Sequence, residues 1–290
     1  MQRDSVSFTF LVATVLCVVC SFLVSGAADL LRPIQEKNKE LDKSKNVLLA
    51  AGLIDSSADP ATVTNVFSER IRSVMINLDS GEPASESEAP KGYDPRKAAK
   101  NPALQQPVEP PDALRGIRFR EPIAPVYLIL EEGEEGAEPK VEGYILPIYG
   151  KGLWSTLYGF LALDGDARTV RGITFYEHGE TPGLGGEVDN PNWKSTWKGK
   201  IALEDGEVLL HVLKGGAPEG SPAAASTIDG LSGATLTTKG VDALVQYWLG
   251  PQGFGPYLEK LHPEEGENPE AGQQAGATAP ALVEEGNHHG

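Results

Sequence analysis

Asp229-Gly230-Leu231-Ser232-Gly233-Ala234-Thr235-Leu236-Thr237-Thr238-Lys239-Gly240-Val241-Asp242-Ala243-Leu244-Val245-Gln246-Tyr247-Trp248-Leu249-Gly250-Pro251 passes from a glycine-rich loop into an amphipathic helix within a few residues. Apolar residues recur at Val241, Leu244, Val245, Trp248 and Leu249, the spacing of one helical face. Thr237 or Thr238 is expected to cap that helix, and Gly250-Pro251 to stop it. Gly233 and Ala234 leave the backbone open to close approach. An anion joined to the hydroxyl of Thr235 would lie near the helix N-terminus, where free N–H groups and the dipole favour negative charge. An ordinary glycine turn into a helix is the plainer reading, and this stretch alone does not separate the two.

Upstream of it the pattern is one of strands. Tyr127-Leu128-Ile129-Leu130 and residues 143–148 read as a pair joined by an acidic, glycine-rich turn. Residues 157–163 and 170–176 read as a hairpin around Asp164-Gly165-Asp166. Residues 201–203 and 208–213 flank Asp205-Gly206, a strong hairpin signal. Strands in the middle with helices on either side predict an α+β domain with a mixed or antiparallel sheet over residues 114–261. Before it, residues 30–78 read as helical, first through Leu31, Ile34, Leu41, Val47 and Leu48, then through Val66, Phe67, Ile71 and Val74. Residues 79–113, rich in proline and glutamate, read as a linker or surface loop outside the core. Residues 262–290 read as a disordered acidic tail.

Residues 5–28 carry no charge, and a helix of that length reaches roughly 35 Å, enough to cross about 30 Å of hydrocarbon. The small residues Ser25-Gly26-Ala27 resemble a signal-peptide cleavage site. The long apolar run and the lone Arg3, opposed by Asp4, point instead to a retained anchor over residues 1–29. Arg32, Lys37, Lys39, Lys43 and Lys45 follow the span, so flanking charge would put the large domain in the cytoplasm. Cys17 and Cys20, the only cysteines, share a face of this helix and read as small packing residues. The formal charge of −16 and pI near 4.8 argue against nucleic acid as a partner. The scattered histidines have no zinc-ligand spacing.

Glu180-Thr181-Pro182-Gly183-Leu184-Gly185-Gly186-Glu187 predicts a tightly shaped loop in which glycines admit backbone N–H groups or a flat ring, and Leu184 offers an apolar contact. It is neither a Walker loop nor a dinucleotide fingerprint. In residues 152–160, aromatics stand beside the hydroxyls of Ser155 and Thr156; Trp154 reads as core before it reads as a ring-stacking partner. A hydrolase built on Ser232 lacks a nucleophile elbow and a histidine partner. His178 between Glu177 and Glu180 fits a polar turn as well as an acid–base cluster.

Taken together, these motifs resemble the C-subunit family of the bacterial Na⁺-translocating NADH:quinone reductase. Leu31-Arg32 with Gln35, Asn38, Leu41-Asp42-Lys43 and Ala51-Gly52 looks like the membrane-proximal segment, and Gly152-Leu153-Trp154-Ser155, the 180–187 loop and residues 229–237 follow in the family's order. The resemblance covers roughly residues 6 to 260. It implies one FMN joined through a phosphoester to Thr235 by a flavin transferase that uses FAD. Asp229 would serve recognition by that enzyme, and Ser232, Gly233, Ala234, Leu236, Thr237 and Thr238 would shape the phosphate site. Ring contacts would come from Glu180, Thr181, Leu184 and Gly185, and from Trp154, Ser155 and Thr156. It further implies an electron-carrying, single-span subunit of the bacterial inner membrane, its flavin domain on the periplasmic side, with the other membrane subunits of the reductase complex and the lipid bilayer as partners. The sites for NADH and quinone are then expected on those other subunits. The homologous G subunit of the ferredoxin:NAD⁺ oxidoreductase complex shares the threonine motif and is one rival. A membrane-anchored ligand-binding module without a redox role is another.

Overall fold

A computed structural model describes residues 6–132, 139–218 and 220–261; the acidic turn and the acidic tail expected from composition lie largely or wholly outside them. A single helix, α1 (Val6–Ala51), opens the described residues, and its first part is long and apolar enough to cross a membrane. Cys17 and Cys20 are exposed on it as free thiols. The helix ends with Gly52 at φ +68°, the Leu53 N–H donating to Leu48 O (3.0 Å) and the Gly52 N–H to Leu49 O (3.1 Å), a glycine cap that satisfies the last carbonyls. Pro60 at the first position of α2 (Pro60–Arg70) and Asp59 in front, accepting from the N–H groups of Ala61 and Thr62, start the next helix.

Strand β1 (Ile71–Asn77) follows α2 directly, so Ile71 and Val74 belong to a strand and not to the expected helix. Next come the short α3 (Pro95–Ala98), the paired β2 (Gln106–Pro107) and β3 (Phe119–Arg120), and the long strands β4 (Ile123–Leu130), β5 (Val141–Lys151), β6 (Thr156–Asp164) and β7 (Val170–Glu177). Then α4 (Pro191–Ser195), β8 (Leu203–Glu204), β9 (Glu207–Val208), β10 (His211–Leu213), β11 (Thr227–Asp229), α5 (Thr235–Leu249) and α6 (Gly255–Lys260) complete the order. The main sheet runs β1-β4-β5-β6-β7, antiparallel throughout, and confirms an α+β domain behind an N-terminal apolar helix. Asp205-Gly206 does turn a hairpin, but only β8 and β9 form it; β10 leaves to pair in parallel with β11.

Helices cover both faces of the sheet. On one, Val47 and Leu48 of α1 and Val63 of α2 pack with Tyr127, Ile129, Ile145 and Phe160. On the other, Val241, Leu244, Val245, Trp248 and Leu249 of α5 enter the larger core, which confirms the apolar face expected from their spacing. Val108 lies in that core, so the proline-rich segment is part of the domain and not a linker outside it. Arg96 from the same segment lies 3.7 Å from the centre of the Tyr158 ring and pairs with Glu177 (2.8 Å).

The end of α1 is fixed to the sheet through charge. Glu142 accepts from Arg171 (2.5 Å) and Arg70 (2.7 Å), and the Arg171 Nε–H donates to Ala51 O (2.8 Å). The Thr174 hydroxyl donates to Asn46 O (3.1 Å), so residue numbers rise along α1 as they fall along β7. The two elements are therefore antiparallel, and the end of the sheet where β7 finishes points back toward the apolar part of α1.

One buried group makes the domain sensitive to pH. Burial pushes the carboxyl of Glu121 up to about 7, although the Tyr149 hydroxyl (2.6 Å) and neighbouring Arg120 favour its charged form. The unfolded chain gives up this proton first. Stability from this group is thus complete below the ordinary glutamate range and falls as pH rises to about 7, by about 3 kcal/mol for such a shift. Glu121→Gln should flatten the stability profile between pH 5 and about 7, as urea melts across that window would show. An unchanged pH slope would refute the assignment.

Candidate flavin site

Three chain segments meet where β7 ends: the turn between β5 and β6, the 180–187 loop, and the first turn of α5. Their close approach is set by glycines. A Cβ on Gly240 would fall 2.3 Å from Lys151 O, and one on Gly150 would fall 2.6 Å from Leu244 Cβ, so α5 lies almost backbone to backbone on β5. Gly240 is not among the expected site residues; a glycine inside a helical pattern is the signal that could have found it.

Helix α5 begins at Thr235 itself, with Ala234 as its N-cap and no side-chain cap. The expectation that Thr237 or Thr238 caps it is therefore corrected: both are buried inside the first turn. The Thr238 hydroxyl accepts from the Leu231 N–H (3.0 Å), and the Thr237 hydroxyl donates to Glu180 (2.6 Å). Ser232, Gly233, Thr235 and Leu236 are exposed, while Ala234 is buried. Gly233 holds φ +74°, where other residues are strained, and Leu184 Cδ2 would be 3.1 Å from any Cβ added there. The apolar loop residue thus lies over the glycine beside Thr235.

Glu180 is only 5% exposed and is the polar centre of the site. Its Oε1 accepts from the N–H groups of Trp154 (2.9 Å) and Ser155 (3.1 Å), and its Oε2 from the Leu153 N–H (3.2 Å) and the Thr237 hydroxyl. Burial raises its pKa, but the Thr237 hydroxyl and the three N–H groups outweigh that and hold it below the usual carboxylate range. Gly152 and Gly185 make room: a Cβ on either would sit 2.6 or 2.7 Å from a Glu180 oxygen. The Ser155 hydroxyl accepts from the Gly179 N–H (2.7 Å), and Thr156 opens β6 opposite Lys151. Thr181 is exposed, its carbonyl accepting from the N–H groups of Leu184 and Gly186.

Trp154 is 67% exposed, which overturns its reading as core. With Leu153, Leu184 and Leu236, each exposed by more than two fifths, it supplies apolar surface on the segments that surround Thr235. Asp229 is exposed, but its Oδ1 accepts from the Gly215 N–H (2.9 Å) and its carbonyl from the Trp193 indole (2.8 Å). Nothing in the sequence marks Trp193 as a partner. His178 pairs with Asp189 through Nε2 (2.8 Å) and accepts the Glu180 N–H at Nδ1 (3.2 Å), while His211 pairs with Asp242 (3.1 Å).

An uncapped helix N-terminus, an exposed hydroxyl at its first position and exposed apolar side chains around it suit a phosphorylated ligand with a flat ring. A family model described as FMN-binding domain matches residues 152–250, which contain every one of these features. A Pseudomonas aeruginosa protein named as the C subunit of a Na(+)-translocating NADH-quinone reductase is 46% identical over 261 residues, 90% of this chain and 97% of that one. Its Yersinia pestis namesake is 43% identical, covering 90% of this chain and 94% of its own length. The crystal structure of Shewanella oneidensis NqrC superposes with a TM-score of 0.67 at 33% identity, covering 78% of this chain and 100% of the other. Likeness of this extent, in sequence and in fold, shows that the chain belongs to the C-subunit family of Na(+)-translocating NADH-quinone reductases.

Proposed function

We propose that this chain carries electrons through one FMN joined by a phosphoester to the Thr235 hydroxyl, within a complex that couples NADH oxidation and quinone reduction to sodium export. The observation that carries the reading is the exposed Thr235 at the first position of the uncapped α5, bordered by exposed Leu184, Leu236 and Trp154. Bound there, a flavin supplies single-electron transfer, while the protein fixes its position and potential. The first-turn N–H groups of α5 would receive the phosphate, Gly233 would let it approach, and the apolar side chains would lie against the ring and keep water from one face. The covalent bond would prevent loss of the carrier.

In the same reading, the first 29 residues anchor the chain in the bacterial inner membrane and the domain lies on the periplasmic side, where a flavin transferase completes it. The site lies at the end of the sheet directed toward the apolar part of α1, which supports exchange of electrons with membrane subunits. Flanking charge points the other way, but long domains cross largely regardless of it. Asp229, whose carboxylate accepts from the Gly215 N–H, would serve as the recognition residue for the transferase.

The test is an intact mass of the chain made in a host with a competent transferase, followed by peptide mapping. The expected result is a gain of one FMN less water on the peptide that holds Thr235. An unmodified chain would remove the electron-carrier reading and leave a membrane-anchored binding module.

A further inference from the structure

Glu180 is buried, accepts hydrogen bonds from five groups, and has no ion pair among the described residues. A buried carboxylate without a cation is costly unless donors replace water. Here the donors come from two distant parts of the chain: three successive N–H groups and the Ser155 hydroxyl of the Leu153–Ser155 turn, and Thr237 in the first turn of α5. The same carboxylate therefore joins the turn that carries Trp154 to the helix that carries Thr235. It does so from beneath the surface: Glu180 is buried where Leu184 and Trp154 are exposed.

Resting on the function proposed above, we propose that Glu180 is a positioning residue and not a ring contact: its carboxylate locks the Leu153–Ser155 turn to the start of α5, presents Thr235 for attachment, and places a fixed negative charge beside the flavin. Two consequences follow that packing alone would not produce. Removing the charge weakens the lock without removing any group that meets the transferase, so attachment slows while the rest of the domain persists. Removing the charge also eases electron uptake, because a reduced flavin then gains negative charge with no like charge nearby.

The experiment uses the full chain in membranes with the transferase present, comparing wild type with Glu180→Gln and Thr237→Val. Attachment is followed by in-gel flavin fluorescence, potentials by spectroelectrochemistry, and the lock by hydrogen exchange at the amides of residues 153–155. In E180Q, attachment should slow by tenfold or more, these amides should lose protection, and the flavin that does attach should have more positive midpoint potentials. T237V, which keeps the charge but loses one link, should slow attachment and leave the potentials close to wild type. Attachment to E180Q at the wild-type rate, or unchanged potentials in its flavin, overturns the proposal. Should E180Q fail to fold, T237V decides: wild-type attachment in that variant overturns the proposal equally. Wild-type chain that takes no flavin at all would instead refute the function on which it rests.

Discussion

Thr235→Val leaves the chain folded and in the membrane but without covalent flavin. Valine matches threonine in shape, and its helix propensity is similar. The position is exposed, so the expected change in stability is within about 0.5 kcal/mol. Loss of the hydroxyl, by contrast, removes the atom that would be esterified, and neither nearby threonine can replace it. Thr237 and Thr238 are 1% and 3% exposed, and their hydroxyls are engaged with Glu180 and with the Leu231 N–H. Within residues 229–238 the other exposed hydroxyl is that of Ser232, so Ser232→Ala is the natural control and should retain flavin. Fluorescence of denatured chains on a gel distinguishes the outcomes. A T235V chain that still fluoresces would place the bond elsewhere.

Gly240→Val should have the largest effect on folding of any single change in α5. Two influences oppose one another at this position. Any side chain there favours the helix, since glycine costs about 1 kcal/mol relative to alanine. Against that, the new Cβ would meet Lys151 O at 2.3 Å and Gly152 Cα at 3.1 Å, and both are backbone atoms of β5 and the turn after it. Backbone cannot rotate away, so α5 must lift from the sheet. Overpacking of this kind costs about 1–3 kcal/mol for a small addition, and valine adds two further methyl groups. Gly240→Ala should thus be destabilised despite the better helix former, and G240V should not reach a stable fold. Lifting α5 also draws Thr237 from Glu180, so flavin attachment should fall in G240A even where the domain still melts cooperatively. Thermal melts of the two variants test this, and a G240A domain as stable as wild type would show that α5 has room to move.

The parts of this fold that could be read from sequence are those whose cause is local. The α5 face, the strands around Asp164-Gly165-Asp166, and the apolar N-terminal helix each follow from periodicity or a turn within a short window. The misreadings arise where distant pairing decides. Ile71 and Val74 continue a helical spacing by coincidence, but β4 captures them as an edge strand. His211–Leu213 continue a hairpin pattern, yet β11 offers them a parallel partner. Residues 79–113 have the composition of a solvated loop, and composition does not report that Val108 enters the core or that Arg96 stacks on Tyr158. Around the candidate site, the glycine turn and the start of α5 are legible because a helix start is a local event. The hydrogen bonds of Glu180 are not, since its donors lie 25 to 57 residues away. Trp154 was misplaced because bulk usually signals burial, whereas here its turn faces outward.

Helix α1 has one weak point. Pro33 lies inside it, beyond the uncharged stretch and well before Val47 and Leu48 dock on the sheet. Proline removes one hydrogen bond from the ladder there, while the glycine cap and Arg171 hold the far end of the helix rigidly to the domain. The domain and the last turns of α1 thus form one lever, and its pivot is outside the domain altogether. From Pro33 to Ala51 the arm is about 27 Å long, so a bend of about 20° would sweep its far end through about 9 Å. Bending there would reorient the whole domain relative to the apolar part of α1 without any contact inside the candidate site having to change.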